Sequence, residues 1–166
     1  MNQADLKHIQ YGGMDMQVPE NWEVETEEHV EFNGQASHSI SITASGNDAR
    51  SIDLSFGPLP EGSDAYSEAC ITYEEAAGED GLLTSGSGQG NCEDSEYDES
   101  PILCFDFKGI KAYGFSLITE EGLPCFFFCV DIPQPGQSKL LTVLLRAAGN
   151  DDLQNLLDFV EEHLTF

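Results

Sequence analysis

The stretch LPCFFFCVDIP, residues 123–133, decides how this chain is read. Two cysteines flank three phenylalanines, and a proline stands near each end. On an extended strand, successive side chains point to opposite faces. Cys125, Phe127 and Cys129 then share one face, and Phe126, Phe128 and Val130 share the other. Both faces are apolar, so both must be covered. KLLTVLLRA, residues 139–147, behaves alike, with Leu141, Val143 and Leu145 on one side and Leu140, Thr142 and Leu144 on the other. Two such strands need packing material above and below.

The competing reading gives the cysteines chemistry. Two cysteines four residues apart on a strand lie about 13 Å apart, at about 3.3 Å per residue. A disulfide needs Cα atoms within about 7 Å, so these two do not pair. A zinc site would draw ligands from neighbouring strands. Cys104 is one candidate, but no fourth ligand is evident. Free cysteine also packs as a small hydrophobe. Cys104, Cys125 and Cys129 are therefore expected to be reduced, buried and metal-free. The cysteine count is five, an odd number, with no C-x-x-C, which argues against a disulfide framework.

Outward from this core the chain reads as strands. ILCFDF (102–107), IKAYGFSLI (110–118), CFFFCVDI and KLLTVLLRA follow one another through short turns, which predicts an antiparallel meander. Upstream, HSISITA (38–44) and SIDLSFG (51–57) alternate apolar and polar residues as half-buried strands do. MDMQVPENWEVE reads as a strand, a turn and a Trp opening the next segment, and HVEF (29–32) as a further strand. Residues 1–13 read as a flexible leader, and 14–166 as one domain.

Two helices supply the cover, one per face. The first is predicted from Ser63 as N-cap, with Tyr66, Ala69, Cys70, Tyr73, Ala76 and Ala77 at helical spacing, to a stop at Gly78. The second is predicted from Asn150 as N-cap, with Asp151 and Asp152 in its first turn. Its stripe is Leu153, Leu156, Leu157, Val160 and Leu164, all expected on the apolar side. The fold class expected is α+β, a mostly antiparallel sheet between helices.

Charge bounds the partners. Thirty-one Asp and Glu face six Lys and Arg, for a formal net charge of −25. Such a chain repels nucleic-acid phosphates and anionic lipid head groups, so neither is expected as its main partner. The acidity either serves solubility or steers in a basic protein. No apolar run approaches the roughly 18–20 residues of a membrane span. MNQADLKHIQYGG carries no secretory signal pattern, so a cytoplasmic location is expected.

The order of elements resembles the PsbP-like superfamily, which includes the photosystem II extrinsic protein, a Ran-binding nuclear-import factor and many small bacterial proteins. MQVPENWEV is similar to its strand and Pro-x-x-Trp turn. Gly109, Ala112 and Tyr113 stand where its Gly-x-x-aromatic strand lies, and the last helix ends Leu164-Thr165-Phe166 where the family typically ends Ser-Phe. The resemblance spans residues 14–166 and implies an α/β/α sandwich, with no shared enzyme activity. Fold likeness does not supply function.

Candidate sites are few. Trp22 is either a partner anchor or a core plug. Lys108 and Lys111 form the densest basic spot, read as local ion pairs rather than an anion site. SGSGQG lacks the Gly-Lys-Ser/Thr of a phosphate loop, and no nucleophile elbow is present. The acidic cluster Glu93, Asp94, Glu96, Asp98 and Glu99 lacks calcium-loop spacing, but lies in a long Gly-rich stretch, 81–100, of the kind that carries binding. The expected function is a non-enzymatic acidic interaction protein without cofactor, docking a basic partner through Glu93, Asp94, Glu96 and Asp98. The alternative is a small-molecule or metal-binding protein, with a pocket between sheet and helix near Cys104, Cys125 and Cys129.

Overall fold

The computed structural model describes residues 6–30, 34, 36–44, 50–59, 62–77, 102–118, 122–133 and 139–165. A seven-stranded sheet runs in the order β3-β4-β5-β9-β8-β7-β6, and a three-stranded sheet in the order β1-β2-β10. The strands of the large sheet are β3 (Glu23–Val30), β4 (Ala36–Thr43), β5 (Ser51–Pro58), β6 (Leu103–Phe107), β7 (Ile110–Ile118), β8 (Pro124–Ile132) and β9 (Lys139–Arg146). The small sheet comprises β1 (Leu6–Tyr11), β2 (Met14–Pro19) and β10 (Leu164–Thr165). Every pairing is antiparallel. The helices are α1 (Ala65–Ala77) and α2 (Asn150–His163).

β8 has two apolar faces. Phe127 and Cys129 pack with Phe115 of β7 and with Ala65 and Ala69 of α1. Phe128 and Val130 belong to the main core, with Val143 of β9, Ile42 of β4 and Leu54 of β5. That core is closed by Met14, Met16 and Val18 of β2 and by Leu156, Val160 and Leu164 at the C-terminal end. β7 comes close to β8 at Gly114, where a Cβ would lie 2.2 Å from the Phe127 carbonyl oxygen. No side chain fits there.

The expected α+β class, an α/β/α sandwich of PsbP-like type, is overturned. The molecule is β-rich, with two antiparallel sheets and two helices among the described residues. The reason lies in the faces. The two-sided apolar pattern of β8 and β9 does not extend across the sheet. On the side where α1 packs, β4 and β5 present Ser41, Thr43 and Asp53, all exposed, with Ser41 Oγ donating to Asp53 Oδ1 at 2.8 Å. That half needs no helix over it. On the other side, a sheet shares the cover with α2.

The leader reading of residues 1–13 also changes, because Leu6–Tyr11 form β1, paired residue for residue with β2. LKHIQY alternates only between exposed and half-buried positions, so its strand pattern is shallow. The segment of β3 lies earlier than expected, at Glu23–Val30, and residues 31–33 fall outside the described set. Asp64 rather than Ser63 caps α1, its Oδ1 accepting the Ser67 N–H at 2.8 Å, while the Ser63 hydroxyl lies 2.7 Å from Glu68 Oε2. Gly149 rather than Asn150 precedes α2, without a side-chain cap. Leu164, read as helical, is extended and pairs with Met16.

Candidate functional site

Helix α2 packs over β8 and β9 and leaves a groove of about 580 Å³ beside β6. Ligand clefts commonly fall in the range of about 300–1,000 Å³. The floor is Leu103 and Phe105 of β6 with Phe126 of β8, and Leu153 and Leu157 of α2 form the wall. Two acidic residues of the helix, Asp158 and Glu161, line it as well, and the edge strand borders it at Cys104 and Asp106. Leu153 and Leu157 were expected inside the core with Leu156 and Val160. They are half-buried instead, because this groove opens beside them.

The floor is held by rings. Phe105 lies 5.6 Å from Phe126 and 5.2 Å from Phe128, and Phe107 lies 5.1 Å from Phe128, centroid to centroid. Such tilted and edge-on pairs contribute about 0.5–1.5 kcal/mol each beyond their area burial.

A clamp ties the β6–β7 turn to α2. Lys108 and Gly109 form the two-residue turn between β6 and β7, at φ of 54° and 82°. A left-handed lysine costs about 1 kcal/mol. Its neighbours offset this: Lys108 N–H donates to Glu161 Oε2 at 2.9 Å, and Lys108 Nζ donates to the Glu161 carbonyl at 2.8 Å. A cation near the C-terminal end of a helix is also favoured by the helix dipole. Lys108 therefore works as a local tie, not as an anion site.

The thiols behave as packing. Cys125 and Cys129 are buried, whereas Cys70 and Cys104 are half-buried, so the expectation of burial fails for Cys104. Cys104 stands on the last strand of the sheet, where nothing described pairs beyond it. Burial pushes the Cys129 thiol up to about 12, against a lowering by its hydrogen bond to Thr142. Burial also raises Cys125, and the nearby Arg146 partly offsets that. Buried thiols held in this way are protonated at neutral pH and poor nucleophiles. No cluster of three or more His, Cys, Asp or Glu among the described residues is arranged to hold a metal. Cys104 borders the groove, and register places it on the α1 face of the sheet, in line with Tyr113 and Cys129.

Other candidates are placed as follows. Trp22 is a core residue, 8% exposed, 5.7 Å from the Phe159 ring and beneath the Arg50 guanidinium at 5.2 Å. Asp131 receives the Ala65 N–H at 3.4 Å at the start of α1, and burial raises its pKa. Glu93, Asp94, Glu96, Asp98 and Glu99 lie outside the described residues. No described helix is long and apolar enough to cross a membrane.

No family model, curated protein or solved structure matches this chain. The alternative reading expected a pocket between sheet and helix near Cys104, but not the part taken by Leu153 and Leu157, which sit on the same helical stripe as true core residues. The one available signal was that Asp158 and Glu161 border that stripe directly.

Proposed function

We propose that this chain is a non-enzymatic binding protein whose groove between α2 and β6 takes a basic segment of a protein partner. One observation carries the reading: an apolar floor is bordered by Asp158 and Glu161 of α2 on a chain of net charge −25. An apolar side chain buried on that floor would contribute about 1.5–3 kcal/mol. The carboxylates would select a Lys or Arg beside it and speed encounter, an effect that weakens with salt. Glu93, Asp94, Glu96 and Asp98 would add to the same steering field.

The test is titration of isotope-labelled protein with short peptides carrying Lys or Arg next to Phe or Leu, and with acidic counterparts. Basic peptides are expected to shift groove resonances, and the Asp158→Asn variant to slow association without changing stability. Basic peptides that bind elsewhere, or not at all, would overturn the reading. A small aromatic ammonium binding as tightly as the peptides would make this a small-molecule site instead.

A further inference from the structure

The groove runs beside β6, the terminal strand of the seven-stranded sheet. The geometry points to strand addition: the partner's basic segment extends along the free edge of β6 and sets alternate side chains into the groove. This rests on the protein-partner reading above and goes further by assigning the main-chain recognition.

Three observations support it. First, β6 has an exposed ladder. The turn at Lys108 and Gly109 makes Phe107 and Ile110 a hydrogen-bonded pair, as two-residue hairpins of this turn type do. Hydrogen-bonded pairs then alternate, so Phe105 and Leu103 also bond inward to β7. Cys104 and Asp106 direct their N–H and C=O groups away from the sheet, where no described strand receives them. Second, β6 lacks the usual protection of an edge. Natural sheets blunt edges with charge. LCFDF carries one acidic residue, whereas EVETEEHV of β3, the opposite edge, carries four. Third, side chains alternate along an added strand. One set of them would stand on the α2 side of the sheet, where Phe105, Phe126 and Leu157 lie open.

Charge selects the occupant. A second copy of this chain would bring −25 against −25 and place Asp106 near its own kind. The chain's own 93–99 run has the same sign as the rim. A basic extended peptide satisfies both the ladder and the carboxylates.

The experiment uses the basic peptide that binds best in the titration above and methylates its backbone nitrogens one at a time. Loss of affinity at every second residue, about ten-fold per site, is expected. On the protein, Cys104→Pro removes an outward N–H that β7 does not use, and should weaken binding by about the same factor. Cys104→Ala keeps that N–H and should lose less affinity than Cys104→Pro. Amide exchange at Cys104 and Asp106 should be fast in the free protein and slow in the complex. If the peptide binds in the groove but tolerates methylation everywhere, strand addition is wrong while the binding-protein reading stands. If those two amides are already protected in the free protein, the edge is occupied and strand addition is wrong. If no basic peptide binds, both fall.

Discussion

The two edges of the large sheet face the same physical problem and meet it differently. Among the described strands β3 pairs with β4 alone, and from Glu25 to Val30 every residue is exposed. Val30 itself is 58% exposed, and nothing described packs over this end. Four glutamates guard the strand, which deters a second chain from pairing there. β6, which among the described strands pairs with β7 alone, belongs to the core: Phe107 is fully buried, and Phe105 is wedged among Phe126 and Phe128. Its hairpin is tied to α2 through Lys108 and Glu161. One edge is exposed and protected by charge. The other is packed and apolar, and no described strand pairs with its outward ladder. A packed strand with unpaired outward groups suits docking, since a pre-ordered site costs less to bind.

The largest effect should separate the two edges by stability. Phe107→Ala is expected to cost about 3–5 kcal/mol, as for a large buried aromatic, whereas Val30→Ala should stay within about 0.5 kcal/mol. Denaturant unfolding measures both. Equal losses would mean that β3 is packed as tightly as β6, and the contrast would fail. Next, Glu161→Ala removes the acceptor of the Lys108 N–H and should cost about 1 kcal/mol. Lys108→Gly in that background should recover part of it, because glycine accepts the left-handed turn freely. An unchanged melting temperature in Glu161→Ala would show that the clamp does not hold the hairpin.

The smallest effect is chemical. Variants that retain Cys104 or Cys129 as their one thiol should differ in labelling at mildly alkaline pH, with Cys104 reacting in the folded protein and Cys129 in denaturant. The sign for stability follows from the raised Cys129 pKa. Above its ordinary value of 9.0 the unfolded thiol ionises, while the folded one holds its proton to about 12. Stability present below pH 9.0 is therefore lost as pH climbs toward about 12, and Cys129→Ala should flatten that part of the pH profile. Equal labelling rates would place the edge strand as deep as β8.

Sequence reading went furthest where one residue's pattern is local. The meander from β6 to β9 follows from apolar runs separated by short turns, and Phe127 and Phe128 face opposite ways because a strand's period is two. The first strand escaped because LKHIQY has little apolar content and gains its order from Met14, Met16 and Val18 across the turn. The opening beside Leu153 and Leu157 escaped for a related reason. Leu153 and Leu156 look alike on a helical stripe, yet Leu156 is 2% exposed and Leu153 lines an opening.

By itself, then, the sequence determined the strand period, the turn at Lys108 and Gly109, the two helices and the acidic field, since each depends on neighbouring residues or on composition alone. Tertiary structure decided which strands became edges, that a small sheet rather than a helix closes much of one face, and that α2 stands off β6 far enough to leave a groove. Those outcomes depend on which surfaces meet across long stretches of chain. The pairing of Leu164 with Met16 is an example, for no local pattern in the final helix announces the strand it joins.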